Sequence, residues 1–128
     1  MKIEKWGKQM RGDDLRKRTK SFALRVIKLV EVLPKGSTLG VIGRQLLRSG
    51  TSVGANYRAA CRAKSAADFI SKMGTVEEET DESIYWMELL IDSGLMAQNV
   101  VYELQHEAEE LLAIIVASIK TAKKTVNS

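Results

Sequence analysis

Four arginines within one helix-length segment have the residue type and the spacing to bind anions. They form two pairs with a spacing of four residues, Arg44 with Arg48 and Arg58 with Arg62. A helix turns about 100° and rises about 1.5 Å per residue, so in a helix the four would share one face about 27 Å long. Because like charges at this spacing repel mildly, we expect this arginine line to have a partner.

The chemistry of the guanidinium group leaves three partners open. Its planar fork binds a carboxylate or a phosphate through two hydrogen bonds. The partner could be the acids of the next helix, an acidic surface of a neighbouring subunit, or the phosphates of a nucleic acid. The arginine line is long enough to contact several phosphates of one backbone. The chain has no helix-turn-helix signature and no aromatic platform, so binding to RNA or DNA would be largely independent of base sequence.

An acidic run, Glu77–Glu82, invites a metal or general-acid interpretation. A di-iron bundle needs inward carboxylates and Glu-x-x-His pairs from facing helices. The only histidine, His106, follows Glu103 at that spacing, but no second pair exists. We therefore predict no metal site, and we expect the acids to form a solvated face or to pair with the arginines of the preceding helix.

Other reactive side chains are scarce. Cys61 is the only cysteine, fits a reducing cytoplasm, and is expected to pack among alanines. Residues 49–54 are rich in glycine and hydroxyl groups but lack the lysine and the preceding strand of a phosphate loop. No apolar run is long enough to span a membrane. We predict a cytoplasmic protein that is not an enzyme, with no catalytic residue, no cofactor, no small-molecule substrate and no membrane contact.

Four amphipathic helices would position these side chains, because apolar residues recur along the chain at helical spacings. The expected boundaries are Pro34 after helix 1, Ser37 or Thr38 to about Lys64 for helix 2, Ser65 to Gly94 for helix 3, and Asn99, or Ala97 at the earliest, for the start of helix 4. Between helices 2 and 3 the sequence fits either a break or only a kink. Short turns between long helices favour antiparallel neighbours. The predicted fold is all-α, an up-down-up-down antiparallel four-helix bundle over residues 13–125, preceded by a flexible N-terminal arm, residues 1–12.

Helix 2 also carries a line of glycines beside its apolar face. Gly43, Gly50 and Gly54 each cost a helix about 1 kcal/mol relative to alanine, so we expect a close-packed neighbour there, either another helix or another subunit. Several apolar residues are predicted to face outward and so favour a subunit contact. They are Ile27, Val30, Leu47, Tyr85, Trp86, Ile114 and Ile119. Trp86 fits equally well a position over a seam between helices.

Charge is divided unevenly along the chain. Residues 1–72 hold 17 Lys and Arg against 5 Asp and Glu, a balance of +12, whereas residues 73–128 hold 3 against 11, a balance of −8. Either the two halves pair in space, or the basic half faces a polyanion. The candidate nucleic-acid-binding residues are Arg16, Lys17, Lys20, Arg44, Arg48, Arg58 and Arg62.

A set of linked motifs in residues 49–95 resembles a known bacterial family. The motifs are Ser52-Val53-x-Ala55-Asn56, the helix that contains Phe69, the acids Glu77–Glu79, and Tyr85-Trp86 before Leu89-Leu90. They look like those of the four-helix bundle family named after proteins encoded in 23S rRNA intervening sequences, also called the S23 family. The resemblance extends in weaker form over residues 13–125. After Asn-Tyr-Arg, where the family usually has glutamate, this chain has Ala59.

The resemblance implies a ring-like pentamer of up-down bundles. It also implies kinship to the accessory proteins of diversity-generating retroelements, which are basic pentamers that bind nucleic acid and a reverse transcriptase. The family has no established enzymatic activity. We therefore predict a non-catalytic homo-oligomeric adaptor that binds nucleic-acid backbone through a basic face. The alternative is a protein–protein scaffold whose arginines pair with acids within or between subunits.

Overall fold

The described part of the chain folds into four α-helices. The computed structural model describes residues 12–96 and 99–127. The helices are α1 (Gly12–Glu31), α2 (Thr38–Ala60), α3 (Ala66–Asp92) and α4 (Asn99–Asn127), and the described residues include no strand. The predicted all-α four-helix fold is confirmed. The predicted arm, residues 1–12, lies outside the described residues apart from Gly12, at which α1 begins.

Polar caps and glycine turns set most helix ends where the sequence predicts them. The Ser37 hydroxyl accepts a hydrogen bond from the Gly40 amide at 3.2 Å and so caps α2, because its oxygen satisfies one of the free amides of the first turn. Ser65 caps α3 in the same way, through the Asp68 amide at 3.0 Å. Gly94, just after α3, has a φ of 69°, the left-handed region that glycine adopts at little cost.

Helix α2 ends earlier than predicted. Its last residue is Ala60, not Lys64, and residues 61–65 form the connection to α3. The amides of Arg62 and Ala63 bond to carbonyls three residues back, at 3.1 Å each, and this tightening closes the helix before the Ser65 cap. Arg62 therefore lies in the turn and not on the helical face of the arginine line.

Neighbouring helices run antiparallel. On the α1–α2 seam, Gly54 packs on Thr19, Gly50 on Val26, and Gly43 on Leu33, so one helix ascends as the other descends. The contact between α1 and α4 is the least extensive of the four helix seams. Because consecutive helices run antiparallel and are joined by short connections, α1 and α3 begin, and α2 and α4 end, at the same end of the bundle.

One apolar core runs between the four helices. The side chains of Phe22, Val53, Tyr57 and Phe69 are completely buried within it. The prediction that Ile119 faces outward is wrong: it is only 7% exposed, because it follows Ile115 by one turn and shares that residue's buried face.

The other predicted outward residues divide into two groups. Ile27 and Tyr85 are exposed. The rest, which are Val30, Leu47, Trp86 and Ile114, are partly buried and pack against the core. Within the described ranges no helix is long and apolar enough to cross a membrane.

Candidate nucleic-acid interface

The glycine line determines how close α1 comes to α2. A Cβ on Gly50 would lie 2.9 Å from Cγ2 of Val26, and one on Gly43 would lie 2.8 Å from Cδ1 of Leu33, both closer than real Cβ contacts allow. A Cβ on Gly54 would lie 3.3 Å from the Thr19 hydroxyl oxygen. The three glycines thus hold α1 against α2 within one chain, and they bring the cations of the two helices together.

A groove of about 420 Å³ opens on the outer side of this seam. Arg16 and Lys20 of α1 and Arg58 of α2 stand on its walls. The remaining lining is small or hydroxylic: Thr19, Ala23, Thr51, Gly54 and Ala55. Three side chains from the sequence-predicted basic set therefore converge on one concave surface, although two helices supply them.

The hydroxyl groups of the groove are already committed as donors. Thr19 donates its proton to the carbonyl of Arg16 at 3.1 Å, and Thr51 donates to the carbonyl of Leu47 at 2.7 Å. Attraction for an anion therefore comes from the three cations. Arg16, Lys20 and Arg58 are exposed, and none of them forms an ion pair with a carboxylate in the part of the chain that the structure describes.

Arg48 has a different environment from the rest of the arginine line. It lies on the α2–α3 seam, where it pairs with Glu79 at 3.3 Å and with Glu82. Glu82 also accepts a hydrogen bond from the indole nitrogen of Trp86 at 3.0 Å. The charge of Arg48 is thereby balanced within the chain. Trp86 is partly buried against the core, and its ring lies 5.2 Å from that of Tyr85.

The remaining predicted cations are exposed but do not line the groove. Arg44 lies on α2, Lys17 on α1, and Arg62 in the turn after α2. The arginine line is therefore not one continuous surface: Arg48 faces acids, Arg58 faces the groove, and Arg62 leaves the helix.

Sequence reasoning missed an ion pair between α1 and α4. Arg18 donates from Nε and Nη2 to the two carboxylate oxygens of Glu107, at 3.1 and 2.7 Å, and from Nη2 to Glu110 at 3.1 Å. The hydrogen bond to Glu107 raises the pKa of the Arg18 guanidinium above its usual value. Helical spacing marks Arg18 as lying beside the core stripe, but it does not identify the opposing helix.

Sequence reasoning also missed that the cations of α4 lie at the same end of the bundle as the groove. We call this the basic end, where α1 and α3 begin and α2 and α4 end. Its exposed cations outside ion pairs, among the described residues, are Arg16, Lys17, Lys20, Arg58, Arg62, Lys64, Lys120, Lys123 and Lys124. A charge balance summed over each half of the sequence does not reveal Lys120, Lys123 and Lys124, because they belong to the half that is acidic overall.

The fold and the seam define a class of protein, an antiparallel four-helix bundle with a cationic groove between its first two helices. The chain belongs to the family of 23S rRNA-intervening sequence proteins, whose family model matches residues 13–117. The family resemblance predicted from the motifs is thus confirmed. Within the described residues, no group of three or more His, Cys, Asp or Glu side chains is placed to hold a metal ion.

A solved structure supports the family assignment. The chain is similar to the crystal structure of a protein with unknown function from the S23 ribosomal protein family of Bacteroides thetaiotaomicron VPI-5482. The TM-score is 0.78 and the identity 33%, with 85% of this chain and 97% of that chain covered. No curated protein is significantly similar to the chain. The family is of unknown function and is not a known enzyme family.

Proposed function

We propose that this protein is a non-catalytic adaptor that binds the phosphate backbone of RNA or DNA through the α1–α2 groove. The observation that carries the proposal is the convergence of Arg16, Lys20 and Arg58 on one concave surface without a described carboxylate partner. Other arginines of the same helices, Arg18 and Arg48, are paired with glutamates. The chain therefore neutralises some of its cations and leaves those of the groove available.

Backbone binding follows from the chemistry of these groups. Arginine and lysine contacts to phosphates release condensed counterions, which supplies most of the affinity of sequence-independent binding. Base readout needs side chains that reach the base edges in a groove of the nucleic acid. The α1–α2 groove is concave and its two hydroxyls donate inward to the helix backbone, so it offers charge without a base-reading pattern.

Homo-oligomeric assembly is part of the proposal. A ring of five copies, as the family resemblance implies, would repeat the groove and raise the avidity for a long polyanion without new contacts. The cytoplasm is the compartment in which such a ligand would be met. Kinship to retroelement accessory proteins would add a reverse transcriptase as a partner.

The test is a salt titration of binding to a labelled RNA hairpin and a DNA duplex, measured by fluorescence anisotropy. The triple variant Arg16→Gln/Lys20→Gln/Arg58→Gln is expected to bind more weakly. On DNA, its slope of log affinity against log salt should be smaller by about 0.9 for each phosphate that the variant no longer neutralises.

A matched control is available in the second half of α1 and in the turn after it, away from the groove cations. Arg25→Gln/Lys28→Gln/Lys35→Gln removes the same charge from three exposed positions and is expected to bind almost as the unmodified protein does. Absence of binding at low salt would overturn the proposal, and so would equal losses of affinity in the two triple variants.

A second candidate function is a protein–protein scaffold, favoured by the pairing of Arg48 with Glu79 and Glu82. In this proposal the cations of the groove pair with exposed acids of another subunit, such as Glu78 or Asp81. Light scattering should then show an assembly that dissociates as the salt concentration rises. The triple variant of the groove cations should also fail to assemble. An assembly mass unaffected by both would exclude the scaffold.

A further inference from the structure

We infer that the ligand is a double helix, held across the basic end by cations of α1, α2, the α2–α3 connection and α4, with the α4 lysines as part of the interface. This inference rests on the proposed function and specifies the ligand class and the extent of the same site. It starts from topology, because the antiparallel order brings the start of α1, the end of α2, the start of α3 and the end of α4 together.

The charge at this end is nearly all of one sign. The acids whose side chains the structure describes in the same segments are few. Asp14 lies near the start of α1, and Asp68 is already bound by Lys72, with Oδ1 and Nζ 2.6 Å apart. The end of the bundle is therefore a concentrated cationic surface, although the same chain carries an acidic run in the middle of α3.

The cations stand around the end and not along a line. The groove cations lie on the α1–α2 face, Arg62 and Lys64 lie in the α2–α3 connection, and the lysines Lys120, Lys123 and Lys124 lie on the exposed side of α4. Packed helices are about 8–10 Å apart, and the grooves of B-DNA are about 6–12 Å wide. Cations on neighbouring helices can thus contact phosphates on both sides of one nucleic-acid groove, whereas a single strand offers one row.

The aromatic residues also favour a duplex. Proteins that hold single strands stack successive bases on exposed aromatic rings, and this stacking supplies much of their affinity. Near the basic end the described aromatic side chains, which include Phe22, Tyr57 and Phe69, are completely buried. The exposed rings of Tyr85 and Tyr102 lie in the second half of α3 and at the start of α4, toward the other end.

The experiment compares four labelled ligands of equal length at low salt, namely an RNA duplex, a DNA duplex and the corresponding single strands. All variants retain the full chain. We expect at least tenfold tighter binding to a duplex than to its single strand. The RNA and DNA arms decide which duplex is preferred.

The α4 contribution is tested with Lys120→Gln/Lys123→Gln/Lys124→Gln. We expect weaker duplex binding and a smaller salt slope than in the control Arg25→Gln/Lys28→Gln/Lys35→Gln, which carries the same net charge. Cations near a helix C-terminus also favour the helix dipole. Circular dichroism melting of both variants therefore accompanies the binding curves, and a conservative Lys→Arg triple at the α4 positions should restore binding.

The outcomes separate this inference from the proposed function. If no nucleic acid binds at low salt, both fail. If the groove triple variant weakens binding but the α4 triple variant behaves as the control, or if single strands bind as tightly as duplexes, the proposed function stands and this inference is wrong.

Discussion

The hydroxyl oxygens of Ser49 and Ser83 lie 2.8 Å apart at the centre of the α2–α3 seam, and both residues are fully buried. Each oxygen also contacts a carbonyl of its own helix, Leu46 at 3.3 Å and Glu79 at 2.9 Å. Two hydroxyl protons thus serve three contacts. Because a buried hydroxyl needs a partner, this pair links the two helices at one position along the seam.

Removing one of these hydroxyls should cost modest stability. Ser83→Ala is expected to lower the free energy of unfolding by about 1 kcal/mol, because Ser49 then retains only its local carbonyl. Replacing both serines by alanine should cost less than the sum of the two single changes, since no hydroxyl is left unpartnered. Urea denaturation of the unmodified protein, the two single variants and the double variant forms a double-mutant cycle that measures this coupling. Strictly additive losses would show that the hydroxyl pair contributes no interaction energy.

The close approach at Gly50 predicts an asymmetric response to alanine. Gly50→Ala should destabilise the bundle by about 1–3 kcal/mol, because the new methyl group meets Val26 and overpacks the α1–α2 seam. Gly74→Ala in α3 is the matched control, since a Cβ there meets nothing within 4 Å. That change should stabilise by about 0.5–1 kcal/mol through helix propensity. Thermal unfolding of both variants checks the prediction, which fails if their shifts have the same sign.

The ion pair between Arg18 and Glu107 ties α1 to α4. Arg18→Gln is expected to cost about 1 kcal/mol, because the pair is partly exposed and screened by solvent. Arg25→Gln on the same helix is the control and should change stability by less than about 0.5 kcal/mol. Urea denaturation at low and high salt distinguishes the two, because salt should reduce only the loss caused by Arg18→Gln. Equal effects of both changes would contradict a stabilising role for the pair.

Asp68 predicts a pH-dependent contribution to stability. A hydrogen bond from the Lys72 ammonium, followed by one from the Lys64 amide, lowers the pKa of the Asp68 carboxyl below its usual 3.8. Because the folded pKa is the lower one, the stabilisation is present above the unfolded value and disappears as the pH falls through the folded value. Asp68→Ala should therefore be less stable than the unmodified protein at neutral pH, and the gap should shrink below pH 3.8. A gap that does not change with pH would show that the charge of Asp68 contributes nothing.

The two environments along the arginine line predict different effects on nucleic-acid binding. Arg58→Gln should weaken binding, since Arg58 stands free on the groove wall. The double change Arg48→Gln/Glu82→Gln removes a balanced pair and should leave the affinity nearly unchanged. Anisotropy titrations at one low salt concentration compare the two variants. A larger loss of affinity in the double variant would place the ligand on the α2–α3 seam instead.

Local signals made the fold predictable from the sequence. Ser37 and Ser65 supply caps that need only the next turn of their own helix, and Gly94 supplies the positive φ of a helix end. Helix periodicity was a weaker guide at the end of α2. It continues past Ala60, so it did not reveal that backbone tightening stops the helix there.

The candidate site was only partly predictable, because pairing between helices is not a local property. Periodicity placed Arg48 and Arg58 on one face, yet one meets Glu82 and the other meets a groove. Charge summed over sequence halves assigned Lys120 to the acidic half, although the antiparallel path returns it to the basic end. Only the helix order and the seam contacts could correct this.

Helix α1 is the shortest of the four helices and is held mainly from one side, by its glycine seam with α2. Amides of the least anchored element exchange fastest with solvent, because local opening there disrupts the least packing. An anion that bridges Arg16 to Arg58 would fasten α1 to α2 from outside. Binding in the groove and local opening of α1 would then be coupled. Deuterium uptake along α1 would fall as more ligand is bound.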